Sequence, residues 1–81
     1  MSLFEYEFEG RRPSYKQAFK KALEAFRAGY RKVCLSWGEN MIELELFNGA
    51  VYGYGWLKAY GGQDMADELN KMRLGSQSNG Y

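Results

Sequence analysis

The chain contains no histidine. This absence removes the commonest general base, the commonest metal ligand and the usual activator of a serine or cysteine nucleophile. The single cysteine, Cys34, excludes an internal disulfide and has no second thiolate with which to hold zinc. We therefore expect no enzymatic activity, no cofactor and no metal site, and we interpret Cys34 as a small, buried apolar residue.

A strong charge of one sign and a long apolar run are also lacking. The 81 residues carry a formal net charge of +1, so no overall field favours nucleic acid or a membrane surface. No uninterrupted apolar stretch reaches the roughly 20 residues that span a bilayer, and the N-terminus does not resemble a signal peptide. With one cysteine besides, these features favour a cytoplasmic protein without a membrane partner.

The composition is nevertheless that of a folded protein. Hydrophobic residues make up 46% of the chain and aromatic residues 17%, which is enough to form a core and argues against disorder. A chain of this length has room for one core only. We predict a single small domain over residues 1–75, followed by a flexible C-terminal tail over residues 76–81.

Alternation of polar and apolar residues is clearest in residues 41–56. Asn48 and Gly49 lie between two alternating segments, and this pair is the strongest short-range signal of a type I′ hairpin turn. Counting outward from the turn pairs, on one face, Leu46 with Val51, Leu44 with Gly53 and Ile42 with Gly55; on the other face it pairs Glu45 with Tyr52, Glu43 with Tyr54 and Met41 with Trp56. Two glycines on the aliphatic face indicate that the amphipathic helix of residues 15–26 approaches the backbone there.

The first part of the chain predicts a strand and then a helix. Residues 3–9 alternate between apolar residues and glutamate, as in a half-buried strand. Ser14 and Gln17 have the spacing of a capping box at a helix N-terminus. The helix then has one apolar stripe and is predicted to end near Gly29.

The remaining segments predict another strand before the hairpin and a helix after it. For the strand over residues 31–37 we favour an orientation with Trp37 on the core face; a three-residue loop would instead place it beside Met41. Asp64 is predicted to cap a second helix over residues 65–74. The inner side of this helix is predicted to consist of Met65, Leu69 and Met72.

This element order predicts an α+β domain with the order β-α-β-β-β-α: a mixed four-stranded sheet with two helices packed on one face and the other face open. From Ser14 onward, the order of helix, three strands and helix resembles that of double-stranded-RNA-binding domains. Those domains have a lysine-rich start to their last helix, whereas this chain has Gln63, Asp64, Asp67 and Glu68 there. The resemblance is one of topology, and it implies no RNA-binding residue here.

The aromatic residues of the hairpin predict a binding surface, because contiguous exposed aromatic area is uncommon on a soluble monomer. The glutamates beside them indicate a basic partner. We interpret these glutamates as a solvated face, in preference to a cation site or an acid–base pair. Our first hypothesis is a non-catalytic protein-binding module, such as a small inhibitor of the sort that phages and plasmids encode, which docks on a basic, nucleic-acid-binding protein. The predicted partner-binding residues are Tyr52, Tyr54, Trp56, Met41, Glu43 and Glu45.

Three alternatives remain open at this point. The aromatic residues could be covered by the protein itself, or they could close a homodimer. A third possibility is a nucleic-acid-binding protein that uses a basic helix stripe. The residues of that stripe are Arg11, Arg12, Lys16, Lys20 and Arg27.

Overall fold

The computed structural model describes residues 3–73. Its elements are β1 (Leu3–Phe8), α1 (Tyr15–Arg27), β2 (Lys32–Trp37), β3 (Asn40–Phe47), β4 (Ala50–Trp56) and α2 (Gly62–Lys71). The strands form one sheet in the order β1-β2-β3-β4, in which β1 is parallel to β2 and the other neighbours are antiparallel. The predicted α+β architecture is confirmed, with both helices on one face and the other face open. The predicted tail over residues 76–81 lies outside the described residues.

The β3–β4 hairpin has the predicted register over its whole length, from Met41 paired with Trp56 to Phe47 paired with Ala50. Asn48 has a φ of 52° and Gly49 a φ of 81°, as a type I′ turn requires. Since a slip of one residue would exchange the two faces, this turn decides which side chains are buried.

The orientation of Trp37 follows from the loop between β2 and β3. Trp37 pairs with Asn40, so the loop has an even length and Trp37 shares the core side of the sheet with Leu35, as we favoured. The indole Nε1–H donates a hydrogen bond of 2.9 Å to the carbonyl of Gly10. This bond fastens the loop between β1 and α1 to the end of β2.

Helix α1 begins with the predicted capping box. Ser14 Oγ accepts a hydrogen bond from the Gln17 amide (3.1 Å), and Gln17 Oε1 accepts one from the Ser14 amide (2.8 Å). The helix ends at Arg27, shortly before Gly29, whose φ is 106°. Its buried residues are Ala18, Ala22, Ala25 and Phe26.

Helix α2 begins three residues earlier than predicted. Gly61 occupies the N-cap position, and Asp64 lies within the first turn, where its Oδ2 accepts a hydrogen bond of 3.4 Å from the Gly61 amide. A carboxylate is stabilising at both positions, so the sequence signal alone does not distinguish them. Met65 and Leu69 are buried as predicted, whereas Met72 follows the helix and is 45% exposed.

At Gly53 of β4, the sheet contacts α2 and not α1. A Cβ atom at Gly53 would collide with the carbonyl oxygen of Gly62, and one at Gly62 would collide with the backbone of Tyr54. The expectation that the helix of residues 15–26 approaches both glycines is therefore wrong. Gly55 is exposed and has a φ of 88°, so its backbone conformation, rather than a helix, accounts for the glycine.

A buried tyrosine joins the loop before α2 to the start of α1. Tyr60 is 8% exposed, and its hydroxyl donates a hydrogen bond of 2.7 Å to the carbonyl of Pro13. Next to it, the Tyr15 hydroxyl donates to Glu68 Oε1 at 2.7 Å, which links α1 to α2. Burial raises the pKa of both phenols, and the bond to Glu68 raises that of Tyr15 further.

The close approach of α2 to β4 predicts the effect of adding one methyl group. Gly53→Ala should lower the free energy of unfolding by about 3 kcal/mol, because neither backbone can move without separating helix and strand. Urea denaturation measures this loss. Gly10→Ala is the matched control, since a Cβ there meets nothing within 4 Å and adds only the strain of a φ of 78°, about 1 kcal/mol. Equal losses in the two variants would contradict the close approach.

Candidate protein-binding face

The side of the sheet away from the helices is made of three cross-strand rows, each with one residue from every strand. The rows are Leu3, Lys32, Glu45 and Tyr52; Glu5, Cys34, Glu43 and Tyr54; and Glu7, Ser36, Met41 and Trp56. Phe47 follows Glu45 by two residues on β3 and therefore points to the same side. We call these thirteen residues the open face.

Most of the exposed apolar side chains belong to the open face. Between residues 3 and 73, eight large apolar side chains are exposed, and six of them are on this face. They are Leu3, Met41, Phe47, Tyr52, Tyr54 and Trp56. Tyr54 and Trp56 are the most exposed, at 60% and 61%, so residues 3–73 do not cover the aromatic residues of β4.

Four carboxylates lie beside these apolar side chains. Glu5 and Glu7 come from β1, and Glu43 and Glu45 come from β3. In the described part of the chain, the only ion pair joins Lys21 to Glu24 on α1, at 3.9 Å, so none of the four carboxylates is paired. Lys32 is the one basic residue in the rows, and the open face is therefore acidic.

Cys34 lies at the centre of the open face, between Glu5 and Glu43, and is half-buried. Cys34 is therefore less buried than the small apolar residue that we expected. Alternation along β2 accounts for this, because a strand that turns Leu35 inward must turn Cys34 outward. Burial raises the pKa of the Cys34 thiol, and the charges of Glu43 and Glu5 raise it further. The thiol is accordingly a poor nucleophile at neutral pH.

Among the exposed apolar members of the open face, Phe47 and Leu3 are the two that sequence reasoning missed. The signal for Phe47 was available, because the same alternation that places Glu43 and Glu45 on the outer face continues to the turn. Leu3 is identified only through its pairing with Lys32, since β1 joins the sheet next to a strand that is distant in sequence. Both extend the apolar area toward the hairpin end of the sheet.

The basic stripe proposed as an alternative lies on the helical side of the sheet. Lys16, Lys20 and Arg27 share one side of α1 by their spacing, and all three are exposed, as are Arg11 and Arg12 in the preceding loop. The exposed side of α2 is instead acidic, with Asp64, Asp67 and Glu68. Positive charge is thus concentrated at α1 and the loop before it.

Between residues 3 and 73, no helix is long and apolar enough to cross a membrane. No group of three or more histidine, cysteine, aspartate or glutamate side chains in that range is arranged to hold a metal ion.

The position of Cys34 predicts how fast its thiol is alkylated. Because the charge of Glu43 favours the protonated thiol, Glu43→Gln should lower the thiol pKa and increase the rate of reaction with iodoacetamide at pH 8. Mass spectrometry at successive times gives the rate, and its pH dependence gives the pKa. Glu24→Gln, on α1, is the control and should leave the rate unchanged. An unchanged rate in Glu43→Gln would place Cys34 away from Glu43.

Comparisons of the chain with protein-family models, with curated proteins and with solved structures found no match. What the protein binds is therefore inferred from the chemistry of its own side chains. The open face is the best candidate for a binding surface, because it combines exposed aromatic rings with unpaired carboxylates.

Proposed function

We propose that the protein is a non-catalytic binding module whose open face docks on a basic region of another protein. The observation that carries this proposal is the position of the exposed apolar side chains: six of the eight in residues 3–73 lie on the face that the helices leave uncovered. Contiguous apolar surface of this kind marks interaction sites, and tyrosine and tryptophan are enriched among the residues that dominate binding energy.

The charges of the open face favour a basic partner. The rows contain four carboxylates and one ammonium group, which gives a formal charge of −3. Complementary charge raises the association rate and rejects partners of the same sign. The same charge disfavours a phosphate backbone against the tyrosines, so a protein is a better occupant of this face than nucleic acid.

An acidic, aromatic surface of this kind suits a groove that otherwise holds nucleic acid. We therefore propose the role of a small inhibitor, of the type that phages and plasmids encode, which competes for such a groove. The small size of the chain and the lack of histidine support a binding role without catalysis. The raised pKa of the Cys34 thiol supports it as well, because this thiol is not activated for attack.

A homodimer formed by two open faces is the less favourable arrangement. It would bring together two surfaces that each carry a formal charge of −3, and juxtaposed like charges are unfavourable. Sedimentation velocity at several concentrations tests this directly. We expect one species with the mass of a single chain.

The two most exposed aromatic residues provide the test of the proposed function. Tyr54→Ala and Trp56→Ala should each weaken binding to the partner about 30-fold or more, which corresponds to a loss of about 2 kcal/mol. The partner is captured from the source cell with the wild-type chain, identified, purified and titrated by calorimetry. Thermal denaturation should show an unchanged fold, since both side chains are exposed.

Met72→Ala is the matched control, because Met72 is an exposed apolar residue outside the open face. It should bind the partner as the wild type does. Unchanged affinity in both Tyr54→Ala and Trp56→Ala would reject the open face as the docking surface.

The second candidate function is nucleic-acid binding by α1. Three exposed basic residues along one side of α1 favour this function. None of them takes part in the ion pair between Lys21 and Glu24. A helix that presents such a line can follow a phosphate backbone without contacting base edges. This candidate leaves the open face unused, which is why we place it second.

Salt dependence tests the second candidate. If Lys16, Lys20 and Arg27 each contact one phosphate, affinity for a labelled RNA duplex should fall roughly 40-fold when salt rises fourfold. Fluorescence anisotropy measures this, and replacement of all three residues by alanine should abolish binding. Lys71→Ala, on α2, is the control. Failure of the wild type to retain the duplex at about 50 mM salt would exclude this function.

A further inference from the structure

The open face contains two cross-strand pairs in which a glutamate lies directly opposite a tyrosine. Glu43 is paired with Tyr54, and Glu45 is paired with Tyr52. Side chains opposite each other on neighbouring strands begin about 5 Å apart. Because the two pairs are two residues apart on each strand, their centres are separated by about 7 Å. We call them the Glu–Tyr pairs.

The tyrosines of these pairs differ from the structural tyrosines of the same chain. Tyr15 and Tyr60 each donate a hydrogen bond of 2.7 Å to another part of the protein. Tyr52 and Tyr54 donate none within residues 3–73 and are 48% and 60% exposed. Their rings do not hold the described fold together, and they are accessible from solvent.

The carboxylates of the pairs form no ion pair in the described chain, although Lys32 on β2 lies opposite Glu45. Glu43 and Glu45 are half-buried, so each has lost part of its contact with water, yet neither forms an ion pair with any residue between 3 and 73. A partly desolvated carboxylate gains more from an added cation than a fully solvated one does. Each pair therefore offers an unpaired negative charge beside an accessible aromatic ring.

The group that matches both features of a Glu–Tyr pair is a guanidinium. It is planar and weakly hydrated, so it can stack on a tyrosine ring while its N–H groups donate to a carboxylate. Hydrogen bonds from arginine to a carboxylate are frequently bidentate, which fixes the orientation of the side chain. An ammonium group is a compact point charge and satisfies the carboxylate without the planar stacking contact.

We infer that the open face binds its protein partner through arginine side chains, one at each Glu–Tyr pair. The inference rests on the proposed function and specifies the chemistry of the partner. Two arginines about 7 Å apart are available at positions i and i+2 of a strand, and at positions i and i+4 of a helix their spacing is only slightly shorter. The partner is thus a protein segment with arginines at one of these spacings.

A second copy of the chain meets this requirement poorly. Its basic stripe on α1 contains lysines at positions 16 and 20, with Arg27 two turns farther along. The occupant that we infer is therefore a different protein. A concentration-dependent dimer in sedimentation, broken by Glu43→Gln, would assign the face to a second copy and overturn this inference.

Three synthetic peptides of one length provide the test. All have the sequence Thr-Xaa-Thr-Xaa-Thr with blocked ends, where Xaa is arginine, lysine or the uncharged analogue citrulline. Titrations followed by 15N NMR should show the amide signals of residues 43, 45, 52 and 54 moving with the arginine peptide. We expect binding at least about threefold tighter than that of the lysine peptide, the difference that stacking on an exposed ring supplies. The citrulline peptide should not shift these signals.

Two double variants distinguish the contribution of the carboxylates to peptide binding from that of the tyrosine rings. Glu43→Gln with Glu45→Gln should remove binding of both cationic peptides. Tyr52→Leu with Tyr54→Leu keeps apolar area and both carboxylates, and should reduce the arginine peptide to the affinity of the lysine peptide. Glu7→Gln is the matched control, because Glu7 lies on the open face outside the Glu–Tyr pairs. Equal affinity of the two cationic peptides, or an equal loss in Glu7→Gln, would overturn the inference.

The captured partner distinguishes this inference from the proposed function. If Trp56→Ala loses the partner while the two double variants retain it, the open face is the docking surface and the arginine inference is wrong. If Trp56→Ala and Tyr54→Ala both retain the partner, the proposed function is wrong. Loss in all four variants, with the peptide preference as stated, supports both.

Discussion

The structure depends on a direct contact between two backbones, that of β4 at Gly53 and that of α2 at Gly62. A side chain at either position would separate helix and strand. At the other end of α2, the Asn70 side chain donates a hydrogen bond of 3.0 Å to the Val51 carbonyl and accepts one of 2.9 Å from the Val51 amide. These contacts hold both ends of α2 against one side of the sheet. Helix α1 packs on the same side through its buried alanines. Residues 3–73 therefore leave the opposite side uncovered.

Because the helices cover one side of the sheet only, the alternation of the sequence separates buried from exposed side chains. Side chains that alternate along a strand must divide between two environments, and here one is a core and the other is solvent. The turn at Asn48 and Gly49 sets the register, and the register decides that Tyr54 faces out while Leu44 faces in. The glutamates and the aromatic rings of the open face are adjacent for the same reason. Their proximity is a consequence of pairing between strands and needs no separate explanation.

Local signals predicted most of the fold, and long-range contacts account for what they missed. The hairpin register, the capping box at Ser14 and the orientation of Trp37 all depend on residues close in sequence. The burial of Tyr60 depends on Pro13, 47 residues away, and leaves no local pattern. For the open face, counting along β2 would have placed Cys34 correctly, whereas the contribution of Leu3 required knowledge that β1 lies beside β2. The open face was predicted from the element order, whereas local patterns left open whether another part of the protein covers Tyr54 and Trp56.

The combination of rings and carboxylates explains how so much aromatic surface can remain uncovered. An exposed row of tyrosine and tryptophan alone would favour association between copies of the chain. Here Glu43 and Glu45 lie opposite two of those rings, so face-to-face association would place like charges together. In the function that we propose, the same arrangement attracts a cation, most strongly where the cation is planar and can also stack on the ring. Under that proposal, rejection of a second copy and selection of a basic partner are two effects of a single set of cross-strand pairs.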